Sequence, residues 1–199
     1  MLTALLTVVG AYLVGSVSFA MVASRAFGLP DPHEYGSGSP GATNVLRTGN
    51  KAAALLTLVG DAAKGWVGVE LAQLVAAHSG APTWMVPAAA VAVFLGHLYP
   101  VFYGFRGGKG VSTAAGVVFA LDWPLGLALL VVWAVMAFGF KISSLAALTA
   151  ATLLPLGGFY VFGNTLLAWA LAAISALLFW RHRSNIRRLL SGTETVIGR

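Results

Sequence analysis

The 199-residue chain has no cysteine, which excludes disulfide staples, thiolate nucleophiles and cysteine-based metal sites. Charge is almost as scarce. Asp, Glu, Lys and Arg together make up 9% of the residues, against about a quarter in soluble domains. Acids are rarest, six against twelve Lys and Arg. The histidines are scattered and no carboxylate pair has ligand spacing, so no metal is expected, and no other cofactor. What remains is apolar: 58% of the residues, in runs that recur along the whole length. That is the composition of an integral membrane protein. In such a protein a basic excess reads as loop retention on the inner side, not as nucleic-acid binding. The first 23 residues are apolar and carry no basic n-region, which predicts an uncleaved spanning helix in place of a signal peptide.

A spanning helix needs about 20 apolar residues. Seven candidate segments lie near 2–24, 52–77, 84–103, 110–121, 124–140, 142–160 and 163–181, no soluble domain interrupts them, and the alternative of five crossings makes two short segments re-entrant. The expectation is an all-α membrane protein with seven transmembrane helices, some short, in a single domain over 1–199. The connections alternate in charge. Arg25, Arg47 and Lys51 follow the first segment, Arg106 and Lys109 the third, Lys141 the fifth, and Arg181, Arg183, Arg187 and Arg188 the seventh. The connections at 78–83, Asp122–Pro124 and Val161–Asn164 hold no Lys or Arg. This places the N-terminus outside and the C-terminus in the cytoplasm.

The polar residues collect on the basic side. In "GSGSPGATNVLR", Gly36–Arg47, the glycines Gly36, Gly38 and Gly41 match a G-x-G-x-x-G loop. A dinucleotide loop follows a strand, whereas a membrane helix precedes this one. Successive N–H groups in such a loop form an anion nest, and Ser37, Thr43, Asn44 and Arg47 add donors; a plain flexible turn has the same composition. In "GHLYPVFYGFRGGKGVST", Gly96–Thr113, the run Gly107–Gly108–Lys109 opens a helix. A helix N-terminus binds anions through free N–H groups and its dipole. Two readings fit His97, a satisfied packing histidine or a functional one. In "DAAKG", Asp61 and Lys64 share a helix face at i,i+3, as an internal ion pair or as support for the first loop. In "RHRSNIRRLLSGTE", Arg181–Glu194, a basic juxtamembrane helix on anionic lipid accounts for Arg187 and Arg188. It accounts less well for His182 and Asn185, which lie three apart on one face.

These long motifs, in this order between short membrane helices, resemble the bacterial acyl-phosphate-dependent glycerol-3-phosphate acyltransferase family, over Gly15 to Glu194. Ser39 stands where the family's first loop usually has Asn, so one donor to the acyl-donor phosphate is changed. The resemblance implies transfer of a fatty acyl group from acyl phosphate to the 1-hydroxyl of glycerol 3-phosphate. The products are 1-acylglycerol 3-phosphate (lysophosphatidate) and phosphate, the first acylation of phospholipid biosynthesis. It implies no cofactor, an inner-membrane location with a cytoplasmic active site, and functional links to the enzyme that makes acyl phosphate and to the second acyltransferase. On that reading Ser37, Gly38, Gly41, Thr43, Asn44 and Arg47 bind acyl phosphate. Lys109, His182, Asn185, Gly107 and Gly108 hold glycerol 3-phosphate, and Ser37, Lys109, His182 and Asn185 are the catalytic set. Asp61, Lys64 and His97 support them. None of the four histidines has Asp five residues on, so the H-x-x-x-x-D dyad of other glycerolipid acyltransferases is missing. His182 and the acyl phosphate's own oxygen are the two candidates for the base.

Overall fold

A computed structural model describes residues 1–197. Helices α1 (Leu2–Gly15), α2 (Phe19–Ala26), α3 (Ala42–Leu46), α4 (Lys51–Ser79) and α5 (Met85–Leu98) are followed by a 3₁₀ turn, Val101–Tyr103. Then come α6 (Val111–Leu121), α7 (Trp123–Phe140), α8 (Ser143–Phe162), α9 (Leu166–Arg181) and α10 (Arg183–Leu190). Among the described residues there is no strand. Five stretches are long and apolar enough to cross a membrane: Leu2–Ala26, Lys51–Ser79, Met85–Tyr103, Trp123–Phe140 and Ser143–Phe162. Val111–Leu121 and Leu166–Arg181 are apolar but shorter. Each of the seven apolar segments read from the sequence is therefore helical.

The first segment departs from expectation, because it is broken at Ser16–Ser18. Ser18 caps α2 by accepting from Met21 N at 3.5 Å. Ser16 Oγ donates to Tyr12 O at 2.9 Å and accepts from Val101 N at 3.4 Å. The break frees Val17 O, which accepts from Lys64 Nζ at 2.6 Å. A carbonyl left over in a spanning segment must find a donor inside the protein, and here a buried lysine is that donor.

The centre is built by close backbone approach. A Cβ on Gly65 of α4 would meet Thr113 O, and one on Gly116 of α6 would meet Ala62 O. Gly15 of α1 lies against Val93 O of α5 in the same way, and Gly96 of α5 against Tyr12 O of α1. Membrane helices associate through such small-residue faces because lipid supplies no hydrophobic drive between them. Helices α7 and α8 pack on each other and α8 on α9, closing the bundle. On α7, Val131, Val135 and Phe138 are exposed, as an all-round apolar helix in lipid should be.

Candidate active site

The basic loops meet at one end of the bundle. In the first, Asn44 is the hub. Its Nδ2 donates to Pro32 O at 2.9 Å and Tyr35 O at 3.2 Å, and its Oδ1 accepts from Ser37 N at 2.9 Å and Arg47 Nη1 at 3.4 Å. Gly36 and Gly38 hold φ of +58° and +63°, the left-handed turns that bring the chain back onto Asn44. This corrects the reading of the loop on two points. Asn44 is 3% exposed and spends its amide inside the loop, so it organises the loop and is no outward donor. The Ser37 and Gly38 N–H groups point inward too, the second to Tyr35 O at 3.0 Å. The side chains of Ser37, Thr43 and Arg47 are what the loop exposes, with Gly41 at the start of α3.

His33 ties this loop to the next. Its Nδ1 lies 2.7 Å from Asp31 Oδ1 and its Nε2 2.9 Å from Arg106 O. In the second loop Gly107 and Gly108 are buried. A Cβ on Gly108 would meet His97 Nε2 and Pro40 O, so only glycine fits between the two loops. The carbonyls of Gly107 and Gly108 accept from Arg181 at 2.6 and 3.0 Å, and the Arg181 guanidinium also lies 5.7 Å over the Tyr99 ring. Lys109 follows this turn, close enough to Arg181 to feel its charge. Gly110, at φ +87°, starts α6.

Beneath the turn lies a buried polar group. Lys64 Nζ is 2.8 Å from Asp61 Oδ1, and His97 Nδ1 is 3.6 Å from Asp61 Oδ1 and 3.1 Å from Thr113 Oγ1. Asp61 and Lys64 do form the internal ion pair. His97 joins it to the underside of Gly108.

In the third motif His182 is 2% exposed and its Nδ1 donates to Leu178 O at 2.8 Å; among the described residues Nε2 has no hydrogen-bond partner. Burial, with Lys109 and Arg181 nearby, pushes its pKa down to about 4, against the Leu178 bond and Glu194. His182 is neutral at pH 7. Burial also pushes Lys109 down to about 8, helped by Arg188, Arg47 and Arg181 and opposed by Glu194. The chain then folds back over the site. Arg47 Nη2 donates to Thr195 Oγ1 at 2.7 Å. Glu194 accepts from Ser144, Asn185 and Arg188, and Ile197 N bonds Lys141 O.

The structure thus brings Arg47, Lys109, His182 and Asn185 to one place, with Asp61, Lys64 and His97 below. His33, Ser144, Arg181 and Glu194 also build the site, and the sequence reading gave none of them a role there. Of these only Glu194 carried a signal, as the lone acid in a run of arginines. Among the described residues no cluster of His, Cys, Asp or Glu could hold a metal ion. A cluster of cations beside a neutral hydrogen-bond acceptor suits a phosphate that also bears hydroxyls.

Comparison with known proteins gives the family. Residues 5–192 match the family described as Glycerol-3-phosphate acyltransferase. The chain is 58% identical over 196 residues to a glycerol-3-phosphate acyltransferase of Burkholderia ambifaria, covering 98% of this chain and 91% of that protein. It is 59% identical over 197 residues to one of Burkholderia thailandensis, covering 98% and 96%. The crystal structure of PlsY (YgiH), an integral membrane glycerol 3-phosphate acyltransferase, in its glycerol 3-phosphate form superposes with a TM-score of 0.90 at 38% identity, covering 98% of this chain and 96% of that one. Its lysophosphatidic acid form gives 0.87 at 38% identity, over 98% and 96%. With three motif loops converging on one cluster of cations inside a matching helical frame, the chain belongs to the glycerol-3-phosphate acyltransferase family, as an integral membrane acyltransferase of the PlsY type.

Proposed function

We propose that the protein transfers a fatty acyl group from acyl phosphate to the 1-hydroxyl of glycerol 3-phosphate, giving 1-acylglycerol 3-phosphate and inorganic phosphate. The observation that carries this is Lys109 set among Arg47, Arg181 and Arg188, next to the neutral His182 and Asn185. Lys109 and the α6 N-terminus hold the phosphate of glycerol 3-phosphate; His182 and Asn185 receive its hydroxyls. Ser37, Thr43 and Arg47 hold the acyl phosphate head, and its tail lies between helices in reach of the bilayer. The hydroxyl oxygen attacks the acyl carbonyl carbon, the bond from that carbon to the phosphate oxygen breaks, and phosphate leaves. The hydroxyl proton goes to the phosphate as it departs, because burial beside Lys109 and Arg181 holds the His182 pKa down and makes it a weak base. The donor is already activated, so no covalent enzyme intermediate is needed, and catalysis rests on positioning and charge neutralisation.

Purified protein in detergent should convert palmitoyl phosphate and glycerol 3-phosphate to lysophosphatidate and phosphate. Acyl-CoA and acyl carrier protein should not replace the donor. Equal rates with acyl-CoA would overturn the donor assignment.

We further propose seven crossings of the bacterial inner membrane, N-terminus outside, with the site facing the cytoplasm. The short α6, about 16 Å at 1.5 Å per residue, crosses against α4 instead of lipid. In intact cells a cysteine at Ser79 or Thr165 should react with an impermeant maleimide, and one at Ser191 should not. Equal labelling of Ser79 and Ser191 rules the arrangement out. Thr165 is preferred to Gly163, whose φ of +63° resists a side chain.

A further inference from the structure

Asn185 is 3% exposed, yet only half of its amide is satisfied. Nδ2 donates to Glu194 Oε1 at 2.6 Å. An ionised carboxylate has only acceptors, so the amide must turn its nitrogen toward it. Oδ1 is thereby sent the other way. It is buried and, among the described residues, has no hydrogen-bond partner, a costly condition for a carbonyl oxygen unless a ligand supplies the donor.

Glu194 is itself firmly placed. Its Oε1 accepts from Ser144 Oγ at 3.0 Å as well as from Asn185, and its Oε2 accepts from Arg188 Nε at 2.7 Å. Burial pushes its carboxyl up, but the bonds from Arg188, Asn185 and Ser144 and the charge of Arg188 outweigh this and hold it below the usual carboxylate range. It is therefore ionised at working pH. His182, three residues before Asn185, is oriented by the same logic. Its Nδ1 is tied to Leu178 O, and Nε2 is left as an acceptor. Glycerol 3-phosphate has two hydroxyl donors, and the motif presents two acceptors, each fixed from behind.

We propose that Glu194 is a positioning residue for acyl transfer. It locks the Asn185 amide with Oδ1 toward a glycerol 3-phosphate hydroxyl, so that before reaction the hydrogen bonds there and the oxygen lone pair faces the acyl carbonyl; the proton passes to the phosphate only as the acyl bond forms. The inference rests on the substrate reading above. Without the carboxylate, the amide turns over and presents NH₂ to a hydroxyl that must donate. The loss then falls on turnover, because a misdirected nucleophile still binds.

The test is a double-mutant cycle on kcat in purified full-length protein, with palmitoyl phosphate and glycerol 3-phosphate. Glu194→Gln and Asn185→Ala should each lower kcat by roughly 10²-fold, as misplacement of a reacting group does, with little change in KM for palmitoyl phosphate. In the Asn185→Ala background, Glu194→Gln should cost no more than about twofold further. Losses that multiply would mean that Glu194 acts elsewhere and would overturn the proposal. An inactive parent would instead remove the substrate reading. Should Glu194→Gln not fold, Asn185→Asp gives the answer with residue 194 untouched. Two carboxyls at this contact cannot both ionise, so the new one must bind a proton to donate to Glu194 and offer its other oxygen. Arg188, which bonds Glu194, and Lys109, which feels its charge, oppose that proton, and neutral His182 does not. Activity of Asn185→Asp should then be lowest at pH 8 and rise toward pH 6 by far more than the roughly twofold that Lys109, with its pKa pushed down to about 8, gives the parent. A profile parallel to the parent's sinks the idea.

Discussion

Lys109→Gln should lower kcat/KM for glycerol 3-phosphate by roughly 10²–10³-fold, the cost of removing one preorganised donor from a transition-state site, in a protein that still folds. The turn that carries Lys109 is held by other groups. Its carbonyls bond Arg181, its glycines sit on His97 and Pro40, and the lysine side chain takes no part. What the substitution removes is a charge at the mouth of α6, where low dielectric strengthens its hold on phosphate. Lys109→Arg should rescue little, since a planar fork of five donors does not replace a point charge. The pH profile gives a second readout. The free enzyme's Lys109 has its pKa pushed down to about 8, so it loses its charge as pH rises through that value. Because kcat/KM reports groups of the free enzyme, it should fall above about pH 8 in the parent. That limb should vanish in Lys109→Gln. Near-normal turnover of the Gln variant at low glycerol 3-phosphate, or the same limb in both proteins, would remove Lys109 from the site.

Asp61→Leu should be among the most damaging changes for stability, on the order of 3–5 kcal/mol, because it leaves the buried Lys64 ammonium without its carboxylate. Both side chains of the pair are 3% exposed, and Asp61 also sets the ring of His97 under Gly108. Asp61→Leu with Lys64→Met should recover part of the loss, since no uncompensated charge remains. It should not recover all, because Val17 O loses its donor at the α1–α2 break. The measurement is the thermal midpoint in detergent at one fixed scan rate, with yield from membranes alongside. A double variant no more stable than Asp61→Leu alone would show that the pair's charge is not what holds this region.

The helices were legible because each apolar run is long and its punctuation strong. Asn50 caps α4, Asp122 caps α7, and Gly110 opens α6. The break at Ser16–Ser18 was not legible, because its cause lies in partners distant in the chain, Lys64 and Val101. The site followed the same division. Arg47, Lys109, His182 and Asn185 stood in the long motifs that carry the family resemblance. His33 and Arg181 act on backbone carbonyls 73 and more residues away, and no local spacing encodes such a contact. Asn44 was misjudged for a related reason. An amide in a glycine-rich loop looks like a ligand donor until the turns at Gly36 and Gly38 fold the loop onto it.

The glycines at the helix crossings divide by whether evolution can repair them. A side chain added at Gly60 would press on the ring of Phe19, and one at Gly68 on Val93. Either obstacle is itself a side chain, so a smaller residue at 19 or 93 opens a route to a second-site suppressor. At Gly65 and Gly116 the obstacles are the carbonyl oxygens of Thr113 and Ala62, which every amino acid carries. No exchange of side chains clears that space, and reversion is the direct way back. Drift in the lineage is therefore confined: α4 and α6 can trade their lipid-facing residues freely, while the seam between them is closed to compensation.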